Sequence, residues 1–513
     1  MADHNVRKGF DAVSGRRSRT NELDSIRKKK RDNAFDKMSS SMSVDFHGVE
    51  ESIDETMFDA CMVPSTPEEF MFCANQLRTN DLMEQLKGAF SLRKAAAKNT
   101  TKIFQLIVDT GIVPTAVTFL DQTTSDRGKV EVAWVLTNLA SNDEFTQLVI
   151  TAGTIPVMMR TLTSPNFDVA IQAAWCLGNF ANEGDVYRQD FIRSGVPASL
   201  AALFAHPKCV PKHTSTVAWA IGSIARLATS TTETVKLHHA CHVVDQQLFA
   251  ALTNLDHRAM DKQTLSAVHD ILLTVGHLSS GDDEDIGAVL NAGFAKPVIQ
   301  LLYGVNKLAR RAISIIGNLT SGDNDAFVTH LIDVSVLPGL EHSLQSDYSG
   351  IQRESLWAIS NIFAGTEEHM AAALAQGLLP IIIQCLRKSD ADVKSEAALC
   401  LLNFTSNATQ EAIDIAVQEY EFLETLAKVC QPTADTTLLV SVLDAAKNVF
   451  MLEASTLNNT YAVYFESAGG YDRLTALSHH AKLDVASRAD ELLKTYYDGD
   501  DDFDFEDDDE FHF

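Results

Sequence analysis

All four tryptophans of this 513-residue chain fall in one recurring pattern, Trp-x-x-x-Asn. It occurs at Trp134/Asn138, Trp175/Asn179 and Trp357/Asn361, and Trp219 is followed by Ser223 where asparagine is expected. Followed along the chain, the asparagine place runs Asn138, Asn179, Ser223, His277, Asn318, Asn361, Asn403 and Asn448, in steps of 41, 44, 54, 41, 43, 42 and 45 residues. No other feature constrains the fold as strongly. A unit of that size cannot bury its apolar face alone, so copies must stack on one another and share a continuous core. The long step from Ser223 to His277 predicts an insertion in one unit.

A second signal recurs with the first. Gly111-Ile-Val-Pro114, Gly153-Thr-Ile-Pro156 and Gly377-Leu-Leu-Pro380 share Gly-x-x-Pro about fifteen residues after the asparagine place, with looser versions at Gly195-Val-Pro197 and Gly293 to Pro297. Glycine ends one helix in a left-handed cap and proline suits the first turn of the next. Each unit therefore reads as helix, turn, helix, and the step matches armadillo or HEAT units of about 40–47 residues. The expected fold is all-α, an array of about ten units over residues 66–497. No alternating strand pattern competes.

The charge is uneven. Residues 1–40 hold eleven Lys or Arg against six acids, and residues 498–513 hold ten acids and no base. With −27 for the whole chain, −22 is left for residues 41–497. A basic head, an acidic body and a very acidic tail argue against nucleic-acid binding and for a basic partner. The head and linker, 1–65, and the tail, 498–513, are expected to be disordered. A hydrophobic content of 45% is ample for a large core. The eight cysteines occur singly, as buried thiols in a reducing compartment do. The N-terminus has no apolar signal segment. The longest uncharged apolar run, Met370 to Leu386, is broken by Gly377 and Pro380 and falls short of the ~20 residues that span a bilayer. The chain is expected to be soluble, away from any membrane.

On a helix, residues four apart share a face, so Trp134 and Asn138 lie together. Repetition turns both positions into parallel ladders on one surface. An extended peptide exposes a carbonyl and an N–H at every residue, and an asparagine amide offers partners for both. Tryptophan walls accept the aliphatic stems of Lys or Arg with the cation near the ring. Glu131, Glu183, Glu354 and Glu396 lie near the motifs and supply counter-charge. A single Trp in such a helix is ordinarily core and a single Asn ordinarily a cap. Reuse of one polar group at the same helical position points instead to a shared surface.

These residues resemble importin α, the adaptor that carries proteins with nuclear localisation signals into the nucleus. The resemblance rests on Ala133-Trp-Val-Leu-Thr-Asn138-Leu-Ala-Ser, Ala174-Trp-Cys-Leu-Gly-Asn179-Phe-Ala and Arg353-Glu-Ser-Leu-Trp-Ala-Ile-Ser-Asn361-Ile, and on the order of head, array and tail. It implies a right-handed superhelical armadillo solenoid with no cofactor and no catalysis, shuttling between cytoplasm and nucleus. The implied partners are cargo with Lys/Arg-rich signals, importin β and a nuclear export receptor that contacts the last units and nearby tail.

The implied major peptide site is Trp134, Asn138, Trp175, Asn179 and Trp219. Its key lysine would be held by Glu183, where the family has Asp, by Thr146, and by the carbonyl of Asn142, where the family has Gly. The implied minor site is Glu354, Trp357, Asn361, Glu396 and Asn403. Leu399 stands there in place of a second tryptophan, which should weaken the second cluster of a bipartite signal. The implied importin-β-binding head carries Arg16, Arg17 and Arg19, then Arg27, Lys28, Lys29, Lys30 and Arg31. The autoinhibitory Lys-Arg-Arg cluster of the family is here Asp36-Lys37-Met38, so weak autoinhibition is expected.

Two other classes fit less well. An adhesion or signalling armadillo scaffold of the β-catenin type would typically have a basic groove. An enzyme would need a site, and only His238-His-Ala-Cys241-His242 suggests a metal, without the partner pair of a zinc site. There is no phosphate loop and no Gly-x-Ser-x-Gly elbow.

Overall fold

The computed structural model describes residues 58–226, 243–255, 261–453 and 459–497. The His238 to His242 cluster, the basic head with Asp36-Lys37-Met38, and the acidic tail lie outside them. All described regular structure is helical. Ten long helices recur: α1 (Leu82–Ala96), α2 (Asp126–Leu139), α3 (Phe167–Ala181), α4 (Pro211–Ala225), α5 (Lys262–Leu278), α6 (Asn306–Thr320), α7 (Ser349–Phe363), α8 (Ala391–Asn407), α9 (Thr436–Phe450) and α10 (Leu483–Tyr496).

These helices fall in two compact units, divided between Phe294 and Ala295. In the first, α1 packs on α2, α2 on α3, α3 on α4 and α4 on α5. In the second, α6 packs on α7 and the stacking continues in the same way to α10. The sequence explains why these helices are internal. In α3 every residue from Val169 to Ala181 is buried, and α2 is buried from Val130 to Leu139. A helix apolar nearly all round has no solvent face and must be covered on all sides. Aromatic pairs at matching places bind successive copies, with Phe104 edge-on to Phe145 at 6.1 Å and Phe363 against Phe404 at 5.6 Å between ring centres.

The covering comes from two short helices that precede most of the long ones, such as Asp143–Thr151 and Thr154–Thr161 ahead of α3, while ahead of α1 and α5 one such helix is described in each case, Pro67–Leu77 and Val243–Asn254. The helix-turn-helix unit expected from the sequence is thus three helices. The turn it located is the sharp bend between the two short ones, 78° between Thr101–Asp109 and Val113–Gln122 and 76° between Glu367–Ala375 and Leu378–Lys388. Gly153 (φ 84°) and Gly377 (φ 80°) stand at such bends in the left-handed region, where a Cβ would be strained. Ser335 (φ 70°) and Glu421 (φ 53°) hold the same conformation without being glycine, which hid two bends from a glycine-based reading.

The expected insertion lies between α4 and α5, where the connection runs from Arg226 to Asp261, against Asn182 to Val210 between α3 and α4. Among the described residues no single helix is long and apolar enough to cross a membrane.

Candidate functional site: two ladders on the long helices

The tryptophan and asparagine places all fall in the C-terminal half of the long helices. Trp134 and Asn138 are on α2, Trp175 and Asn179 on α3, Trp219 and Ser223 on α4, Trp357 and Asn361 on α7, and Leu399 and Asn403 on α8. The same register on successive helices of one unit makes each set a row. Trp134 and Trp175 are buried, and Trp219 and Trp357 are half-buried.

The asparagines are bound across the stack. Asn179 Nδ2 donates to the carbonyl of Thr137 on α2 at 3.2 Å, Asn361 Nδ2 to that of Gly317 on α6 at 3.4 Å, and Asn403 Nδ2 to that of Ser360 on α7 at 3.2 Å. In each case the acceptor is the residue just before the preceding asparagine place. These carbonyls lie in the last turn of their helices, where the intrahelical ladder begins to run out of donors, although that of Ser360 also accepts from Ala364 N at 3.0 Å. Each amide therefore helps to cap the helix before it. Asn448 Nδ2 reaches back in the same way to the hydroxyls of Thr405 and Ser406, at 3.2 and 3.0 Å. In the irregular unit Thr274 supplies the link, its hydroxyl donating to the Ala218 carbonyl at 2.7 Å. Asn361 Nδ2 also donates to Thr320 Oγ1 at 3.3 Å and Asn403 Nδ2 to Ser360 Oγ at 2.9 Å, so at these rungs the amide nitrogen is used within the stack and the oxygen is what is left for other partners. Asn179 Oδ1 is buried without a hydrogen-bond partner.

Trp219 and Trp357 lie against the preceding helix, and Trp134 packs with Val169 on the following one. A Cβ on Gly178 would come within 2.4 Å of the Trp219 ring, and one on Gly317 within 2.2 Å of the Trp357 ring. Glycine inside a helix costs about 1 kcal/mol against alanine, and here it makes room for the indole. The signal that sequence reading missed is this glycine immediately before the asparagine place, at Gly178, Gly222, Gly276 and Gly317.

The groups expected around a key lysine are partly assembled. Thr146 Oγ1 donates to the Asn142 carbonyl at 2.8 Å and to the Ala140 carbonyl at 3.2 Å. Asn142 is an ordinary extended N-cap (φ −110°, ψ 120°), its side chain accepting from Glu144 N, so asparagine in a glycine place costs no strain. Glu183 is exposed, just beyond the end of α3. The acids on the helices themselves are buried. Glu131 is 1% exposed and paired with Arg93 and Arg127; Glu354 lies 3.5 Å from Arg353. Glu396 is also buried, and with burial itself it holds the Cys400 thiol well above the usual range. Ser223 turns its hydroxyl to the Trp219 carbonyl at 2.9 Å and offers no amide at its rung. Leu399 is exposed on α8.

Burial pushes the Cys176 and Cys430 thiols up to about 12, which makes them packing groups. Among the described residues no group of three or more His, Cys, Asp or Glu side chains is placed to hold a metal.

Fold and rows together define an armadillo-repeat protein. The Armadillo/beta-catenin-like repeat family matches residues 100–141, 142–181 and 324–364, and the Atypical Arm repeat family matches 459–511. A crystal structure of an engineered protein has the same fold, with a TM-score of 0.70 and 23% identity over 85% of this chain and 100% of that one. Importin subunit alpha-1b of Oryza sativa subsp. japonica is 25% identical over 432 residues, 82% of this chain and 77% of the relative. Importin subunit alpha-3 of Arabidopsis thaliana is 26% identical over 516 residues, 95% of this chain and 90% of the relative. The chain is a divergent homologue of the importin alpha subunits.

Proposed function

We propose that this protein is a non-catalytic nuclear import adaptor, shuttling between cytoplasm and nucleus. It binds the Lys/Arg-rich localisation signals of cargo along Trp134/Asn138, Trp175/Asn179 and Trp219, with Asn142, Thr146 and Glu183 around the key lysine. Its basic head, Arg16 to Arg31, links the cargo to importin β, and an export receptor returns the adaptor. Glu354, Trp357, Asn361, Glu396 and Asn403 take the second cluster of a bipartite signal, weakly because Leu399 has no ring. Head autoinhibition is weak because Asp36 stands where a basic residue is needed.

The observation that carries this reading is the recurrence of a Trp and an amide in one register on successive helices of an acidic body. A purely structural amide needs no spare capacity, and Asn138 Nδ2 and Asn179 Oδ1, on successive helices, are buried without a hydrogen-bond partner. The test is fluorescence anisotropy of a labelled Lys-rich monopartite peptide with wild type and with Asn138→Ala/Asn179→Ala. Two hydrogen bonds at about 1 kcal/mol each predict a loss of roughly tenfold or more. Unchanged affinity, with the helical signal intact, would defeat the reading.

A further inference from the structure

The first rung is not like the others. Arg93, on α1, holds its guanidinium 4.8 Å from the centre of the Trp134 ring and pairs through Nε with Glu131. Glu131 lies one turn before Trp134 on α2 and so shares its side of the helix. The same carboxylate is 2.8 Å from Arg127, whose guanidinium is 4.6 Å from the ring of Phe58. Phe58 in turn packs at 4.8 Å on Phe90, against which Arg93 also rests. The result is a cluster of three rings and two cations, Phe58, Phe90 and Trp134 with Arg127 and Arg93, around one carboxylate.

We propose that Arg93 is a resident cation of the first tryptophan slot, occupying the face of Trp134 that a peptide Lys or Arg would take and yielding it when a peptide binds. This rests on the peptide-binding reading above and adds regulation to the same site. Charge favours it. Arg93 and an arriving cation would compete for one carboxylate, and when Arg93 moves out Glu131 keeps Arg127 on one oxygen and offers the newcomer the place that Arg93 held.

A second observation, independent of Arg93, points to a missing ligand. Asn138 is 1% exposed and its Nδ2 has no hydrogen-bond partner, whereas Asn179 one rung on is tied to Thr137. Trp134 Nε1, four residues from Asn138, is also buried and unpartnered. Two such donors side by side are costly in a folded protein, and a peptide carbonyl is the acceptor they lack. Arg93 mimics the side chain of the ligand and leaves the backbone of the ligand unreplaced.

The test uses the full chain and the same Lys-rich peptide. Arg93→Gln should bind at least about threefold tighter, the scale of a displaced cation–π contact. Arg93→Lys should reverse most of that gain, and Asn138→Ala in the Arg93→Gln chain should cancel it. A chain with Trp175, Trp219 and Trp357 changed to Phe keeps Trp134 as its one reporter, and there Arg93→Gln should raise acrylamide quenching. If Arg93→Gln loses helical signal, Arg93→Met, which keeps the apolar stem on the ring, carries the same expectations. Equal or weaker binding, with Asn138→Ala/Asn179→Ala still harmful, overturns the resident-cation proposal and leaves the peptide-binding reading standing. If the double asparagine variant binds normally, both fall.

Discussion

Asn138 and Asn179 occupy one motif and make opposite structural contributions. Asn179 ties α3 to the last turn of α2 through Thr137, while the Nδ2 of Asn138 is buried and unused. Asn179→Ala should therefore lower the melting temperature by a few degrees, as expected for about 1 kcal/mol in a unit of this size. Asn138→Ala, which removes an unsatisfied donor, should leave stability unchanged or raise it. Paired scanning calorimetry checks this, and an equal fall for both variants would show that Asn138 has a partner in solution. The recurrence of asparagine was legible in the sequence, because a polar residue at a fixed helical place stands out against apolar neighbours. Its partners were not. A carbonyl in the last turn of the preceding helix carries no side-chain signature. The residue that closes the first slot was equally hidden, since Arg93 belongs to no repeat motif and meets Trp134 only through folding.

At the scale of the element, periodicity revealed that a unit repeats and where it bends, but not that it has three helices. The most buried of the long helices, α3, is apolar almost all round, so the 3.6-residue alternation that marks a surface helix is weak in it. Glycine marked most bends, and the two at Ser335 and Glu421 escaped because left-handed backbone is held there without it. The same view of the helix as a unit of recognition applies to α8. Leu399 is 36% exposed on that helix, so a larger side chain has room toward solvent. The residue just before the preceding rung is Ser360, whose hydroxyl accepts from Asn403 at 2.9 Å, where Gly317 makes room for Trp357. Leu399→Trp should strengthen binding of a bipartite peptide severalfold over its monopartite half, and Leu399→Trp with Ser360→Gly should do so with less cost to stability. Calorimetric titration with the two peptides decides it. No gain in either variant would mean that the ring at this rung is not what limits the second cluster.

For the whole molecule the question is what the basic head does to an acidic body. A tethered basic segment sits at high effective concentration beside a surface of opposite sign, and that alone would favour self-occupation. Against it, Asp36-Lys37-Met38 lacks the cluster that would fit a lysine pocket. Removing residues 1–57 should therefore change cargo affinity by less than about threefold without importin β, and a gain of tenfold or more would refute weak autoinhibition. Where the cut is made matters. Phe58 is buried against Leu86 and Phe90 and faces Arg127, so it is part of the first unit and not of the head. A cut after residue 65 removes Phe58 and Cys61 as well, opens the cavity they fill, and takes from Arg127 the ring it rests on. If the shorter chain starting at 66 gains affinity while the chain starting at 58 does not, the gain cannot come from releasing a basic competitor, because both have lost the head. It must come from loosening the stack that holds Arg127, Glu131 and Arg93 over Trp134. Binding of one Lys-rich peptide to the two truncations, with acrylamide quenching of Trp134 read in the same truncations carrying Phe at 175, 219 and 357, thus separates inhibition by the head from closure of the first slot.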